Sequence, residues 1–189
     1  MIPQGLINFN NNPVSLVSVA SDTGFGPISG TPGTYYFGLL TSRNGIAGPF
    51  LFTGLYATNQ AVVGRFNGGF EVAVPNWPAG TTQSYEIVGW SANLGHDFNS
   101  AWMSGNFLGR DGFYGQSAWA TGLAGGFDGT GPVPPLNLFG GATGISQGFT
   151  LVTTLHDVPE PSPATLATLG VATLMLWRRK GITARRFTR

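Results

Sequence analysis

Few side chains in this 189-residue chain are of a type and spacing that could do chemistry. His96-Asp97 and His156-Asp157 place a histidine beside a carboxylate, the pairing that general-base and nucleophilic catalysis requires. Adjacent residues of an extended segment point to opposite faces, so no direct hydrogen-bonded pair is expected at 96–97. His156-Asp157 falls in a linker and is expected to be solvated. Glu71 and Glu86 could serve as the two carboxylates of glycoside hydrolysis, but any chain with eight carboxylates offers such pairs. His96, Asp97 and Asp111 contain metal-ligating atoms at a spacing that matches no known metal loop. Asp111-Gly112 and Asp128-Gly129 read as turns rather than calcium ligands. There is no Gly-x-Ser-x-Gly elbow, His-Glu-x-x-His helix or Gly-x-x-x-x-Gly-Lys phosphate loop. Cysteine is absent, which removes thiolate nucleophiles, zinc and iron–sulfur ligands, and disulfides together. The expectation is a protein that is not an enzyme, with no catalytic residue, no metal and no cofactor.

Aromatic side chains offer a different chemistry, because an exposed ring can stack on a sugar. Trp90 and Trp119 fall inside strand-like segments and are expected to fill a core. Trp77, between Pro75 and Pro78, and Trp102 are expected to be exposed, which makes them the candidate ligand-binding residues.

These residues must be positioned by short elements. The apolar runs are brief, rich in aromatic and β-branched residues, and separated by Gly, Pro, Asn and Asp, which is the signature of strands. Strands are predicted at 5–9, 34–41, 50–56, 61–66, 70–74, 84–91, 116–121 and 148–155. Alternation is clearest at 85–90, with Tyr85, Ile87 and Gly89 on one face and Glu86, Val88 and Trp90 on the other. Asn67-Gly68-Gly69 suits a tight hairpin between 61–66 and 70–74, since its residues tolerate positive φ. Arg43-Asn44-Gly45 is a similar connection, and residues 99–103 read as a single helical turn. The loop 124–136, stiffened by proline, is expected to lie over a sheet edge and block edge-to-edge pairing. The predicted fold is all-β: a two-sheet antiparallel sandwich, jelly-roll or immunoglobulin-like, plus one C-terminal hydrophobic helix.

Composition supports one domain over 1–156. Apolar residues make up 42% and aromatics 13%, enough burial drive to fold despite 30 glycines and 13 prolines. Charged residues are 9%, against about 25% in ordinary soluble domains. The charges are also unevenly placed. Residues 1–160 hold Arg43, Arg65 and Arg110 against eight carboxylates, a balance of −5, while 161–189 hold six bases and no acid, +6. An acidic body argues against nucleic-acid binding, which needs a basic face, and a separate basic tail points to a membrane contact.

That tail, 157–189, has three parts: Val158-Pro159-Glu160-Pro161-Ser162, an uncharged run over 163–177, and a basic segment 178–189 opening with Arg178-Arg179-Lys180. As a helix, 164–177 would span about 21 Å, short of the ~30 Å hydrocarbon core. Ser162, Pro163 and arginines reaching back to the headgroups lengthen it, and local bilayer thinning absorbs the rest. Trp177 beside the bases suits a membrane interface, and the bases themselves set the tail on the cytoplasmic side with the body outside. Residues 1–9 carry no basic n-region and no apolar core of signal-peptide length, so the reading frame is expected to begin upstream.

Motif, apolar run and basic stop together resemble the PEP-CTERM sorting signal of Gram-negative bacteria. The resemblance implies recognition of Pro159-Glu160-Pro161 by an exosortase, a membrane transpeptidase, with the apolar helix and basic tail removed during surface delivery. Val158 to Ser162 would then be substrate residues. Residues 181–189 run past the usual ending of such signals. More loosely, Gly5-Leu-Ile-Asn-Phe-Asn-Asn11 and Gly148-Phe-Thr-Leu-Val-Thr-Thr-Leu155 resemble the opening and closing segments of small PEP-CTERM proteins of Verrucomicrobia-like bacteria. The molecule is accordingly expected to be an exported cell-surface or extracellular-matrix protein, passing through the inner membrane as a single-pass intermediate, with exopolysaccharide as a possible partner. The alternative is a carbohydrate-binding module, and a hydrolase is third.

Overall fold

The structure is a computed structural model, and it describes residues 3–28 and 31–154. All of these belong to the first of the two units into which the chain divides, Met1–His156. The sorting-signal residues, the apolar run and the basic tail lie outside the described residues. Among the described residues, no helix is long and apolar enough to cross a membrane.

Among the described residues fourteen strands form, with β1 (Gln4–Asn8), β2 (Ser18–Ser21), β3 (Gly24–Pro27), β4 (Tyr35–Ser42), β5 (Leu51–Asn59), β6 (Phe66–Asn67) and β7 (Val72–Pro78) in the first half. The second half supplies β8 (Thr82–Ser91), β9 (Phe113–Gln116), β10 (Ala120–Leu123), β11 (Gly126–Phe127), β12 (Pro132–Val133), β13 (Leu136–Asn137) and β14 (Thr150–Thr153). The large sheet runs β3-β2-β14-β9-β8-β4-β5-β6, with β10 also on β8; a small sheet runs β13-β1-β7, and β11-β12 is a hairpin. The protein is predominantly β, with curled sheets consistent with a sandwich. Pairing is mainly antiparallel, but β1 with β13 and β2 with β14 are parallel.

The period-two pattern of the central strands explains the layering. Tyr85 and Ile87 of β8 and Phe37 and Leu39 of β4 enter one core, which also takes Ile7, Val74 and Trp77 from the small sheet. Val88, Trp90 and Leu40 enter a second core on the opposite face, closed by Leu94, Phe98, Trp102 and Phe107 from the excursion between β8 and β9. Each fully buried side chain of this size contributes about 1.5–3 kcal/mol, so a strand apolar on both faces is the natural centre of the sheet. In the first core Phe37 stacks on Phe66 with centroids 4.3 Å apart and planes at 16°. Gly89 makes room for that stack, since a Cβ there would lie 2.9 Å from both Phe37 and Leu151.

Several expected elements change. Of the segment 61–66 only Phe66 is in a strand, β6, and no hairpin forms about 67–69, because β6 pairs with β5 while β7 pairs with β1. The competing partner is the chain after β1: Gly68 N donates to Phe9 O at 2.7 Å and Phe9 N to Gly69 O at 2.9 Å. The strand expected over 116–121 is interrupted at Ser117, whose N–H bonds Ile87 O and whose Oγ accepts from Ile87 N, so β9 and β10 pair with different parts of β8. Strands β2 and β3, which pair with each other, lie outside the predicted strands. The loop 124–136 is partly ordered as β11 and β12; Gly125 exchanges two 3.0 Å bonds with Leu6 and β13 pairs with β1, so it does cover an edge. Residues 99–103 form the expected turn, a 3₁₀ helix over Ser100–Ser104 capped by Asn99.

Candidate functional site

The tryptophans reverse their expected exposure at three of the four positions. Trp77 is 0% exposed and Trp102 3%, so neither presents a ring for stacking. Trp77 is turned inward by a bulge in β7; its indole N–H donates to Thr81 O at 2.9 Å and its ring packs on Tyr85. Trp102 is carried by the 3₁₀ turn onto Trp90, with centroids 5.7 Å apart. Trp90 is buried as expected, whereas Trp119, in the break between β9 and β10, is 54% exposed.

His96 and Asp97 do meet, against expectation: His96 Nδ1 and Asp97 Oδ1 are 2.8 Å apart. The reason is local, because 96–97 follow the 3₁₀ helix Ala92–Leu94 rather than an extended strand. The imidazole also lies 4.9 Å from both Tyr36 and Tyr56, which explains its placement as a packing contact. Glu71 and Glu86 lie on separate elements, the first at φ 51° just before β7 of the small sheet and the second buried in β8 of the large one. Burial pushes the Glu86 carboxyl above its usual range. Asp128 is a turn residue, as expected: Oδ1 accepts from Thr130 N, Thr130 Oγ1 and Gly131 N at 2.7–2.9 Å, which holds its carboxyl below the usual range. Among the described residues, no group of three or more His, Asp or Glu side chains could hold a metal ion.

The arrangement that does concentrate recognition chemistry was not anticipated from sequence, and it starts at the β7 bulge. Gln4 pairs with Pro78 but Gly5 pairs with Val74, so Pro75, Asn76 and Trp77 are looped out of the ladder. Asn76 takes φ 63°, a left-handed conformation that asparagine tolerates better than most residues. Its carbonyl, no longer needed by the ladder, accepts from Arg43 Nε at 3.2 Å, Arg43 Nη2 at 2.8 Å and Gln83 Nε2 at 3.2 Å.

Arg43 stands at the end of β4 and is thereby fixed between two cavities that share it and Asn76. The larger, of about 390 Å³, is walled by Pro49, Leu51, Phe52 and Pro75 and carries the polar groups of Thr41, Ser42, Asn44 and Thr53. The smaller, of about 250 Å³, is flanked by Pro3, Gln4 and Pro78. Ser42 is 1% exposed, and its hydroxyl has no hydrogen-bond partner among the described residues. Apolar walls with a few convergent polar groups are the usual make-up of a small-molecule site. The one sequence signal for it is Pro75-Asn76-Trp77-Pro78 at the end of a strand, since proline inside a sheet is confined to edges and bulges. No family model, no curated protein and no solved structure matches this chain.

Proposed function

We propose that this is a non-enzymatic, exported cell-surface or extracellular-matrix protein, delivered through its C-terminal PEP-CTERM-like signal. The observation that carries the reading is the order of the tail: Val158-Pro-Glu-Pro-Ser162, an uncharged run, then Arg178-Arg179-Lys180, with residues 1–160 at −5 and 161–189 at +6. In this reading 163–177 is the single apolar helix of an inner-membrane intermediate, Pro159-Glu160-Pro161 is the feature an exosortase recognises, and 1–156 is the exported sandwich of jelly-roll or immunoglobulin-like type. A charged fraction of only 9% in the chain accords with an extracellular setting. Intact-mass analysis of the protein from its native cells tests it. A chain ending near Pro161 in the envelope or medium is expected, and a full-length chain in the cytoplasm would overturn it.

A second reading, a carbohydrate-binding module, is favoured by the Arg43–Asn76 groove rather than by Trp77 or Trp102. Hydroxyl, amide and guanidinium groups there face proline and leucine walls, which is the mix that a sugar's hydroxyls and C–H faces require. Binding of oligosaccharides to the purified chain, lost on substitution at the groove, tests this reading.

A further inference from the structure

We propose that the Arg43–Asn76 groove selects saccharides that carry a carboxylate, with Arg43 holding the acid and the adjoining cavities holding consecutive sugar units. The proposal rests on the carbohydrate-binding reading and specifies its ligand class. The guanidinium has two hydrogen-bonding edges. Nε and Nη2 are engaged together on Asn76 O, at 3.2 and 2.8 Å, which fixes the plane of the group. The edge formed by Nη1 and the second hydrogen of Nη2 meets no partner among the described residues, and two parallel N–H donors are the match for a carboxylate bound bidentately. No carboxylate of the described residues pairs with Arg43. A neutral sugar would leave the charge of this cation unused, and an anion without hydroxyls would leave Ser42 unused. Among the described residues the Ser42 hydroxyl has no hydrogen bond to lose when it rotates towards a ligand. Because Arg43 and Asn76 border both cavities, a chain bound across them would place its acid between two neighbouring units.

The test is calorimetric titration of the full-length chain in mild detergent with oligogalacturonate and with cello-oligosaccharide of equal length. The uronate is expected to bind and the neutral oligomer to bind at least about tenfold more weakly. Arg43→Gln is expected to cost at least about tenfold for the uronate. That variant keeps every base of the 178–189 tail, so uronate binding that survives it would belong elsewhere and overturn the proposal. Ser42→Ala, which removes a hydroxyl without a native partner, is expected to weaken uronate binding several-fold and leave the thermal unfolding midpoint unchanged or higher. Equal binding of the two oligomers would overturn the acid selectivity while leaving the carbohydrate reading standing; binding of neither would remove both.

Discussion

Asn11 and Arg65 are locked together across 54 positions: the guanidinium donates from Nε to Asn11 Oδ1 at 3.2 Å and from Nη2 to the Asn11 carbonyl. Asn11 is fully buried, and its amide also donates to Ser15 O and Gly64 O, both at 2.8 Å, and accepts from Phe66 N at 2.9 Å. One side chain thus replaces the ladder bonds that an irregular stretch cannot make for itself, and it draws 64–66 towards the end of β1.

Asn11→Ala would strand the Ser15 carbonyl and the Phe66 N–H inside the protein and take one of two donors from the Gly64 carbonyl, which keeps Val17 N. The expected loss is about 2–4 kcal/mol, read as a lower urea midpoint. A loss below about 0.5 kcal/mol, the range of ordinary surface substitutions, would mean that water replaces the amide.

Gly115 and Gly26 make an internal comparison. A Cβ at Gly115 would lie 2.2 Å from Thr150 O, a backbone atom of the neighbouring strand, whereas nothing among the described residues lies within 4 Å of one at Gly26. Gly115→Ala should cost about 3 kcal/mol or more by forcing β9 from β14. Gly26→Ala should change stability by no more than about 0.5 kcal/mol. Equal effects in thermal unfolding would contradict the β9–β14 register.

Tyr114 buries a hydroxyl that has no partner among the described residues, and burial, then the neighbouring Glu86 charge, pushes its pKa up. Tyr114→Phe removes the unpaired group while keeping the ring against Trp102 and Phe107. The variant should be as stable as the parent or up to about 1 kcal/mol more stable. A clear loss of stability would reveal a hydrogen bond to that hydroxyl.

Glu86 titrates with the opposite sense to a salt-bridged acid. Its folded pKa is raised from 4.5 by burial, so the folded chain holds the proton more tightly than the unfolded one. The protonated form therefore carries no penalty at low pH, and stability falls as pH rises from the ordinary carboxyl range through the folded pKa. Glu86→Gln should match the parent near pH 3 and exceed it at about pH 7, both ends lying outside the ordinary titration of a carboxyl. The measurement is the difference between the two urea-unfolding curves against pH; a difference that does not vary with pH would show Glu86 to be solvated when folded.

The β class, the two faces of β8, the Asp128 turn and the Asn99-capped helical turn were legible in the amino-acid order, because each depends on neighbours within a few residues: a period of two, an Asx side chain reaching its own backbone, a capping residue before a turn. The uneven charge and the tripartite tail are likewise properties of the order alone. The tertiary structure decided which tryptophans are covered, what 61–70 pairs with, and that Arg43 would meet Asn76. These depend on partners distant in sequence. Phe9 outcompeted a local hairpin for Gly68 and Gly69, and the register shift in β7 turned Trp77 into the core while freeing the Asn76 carbonyl for a guanidinium 33 positions away. A one-residue change of register exchanges the faces of a strand, so no local pattern could assign those side chains before the pairing existed.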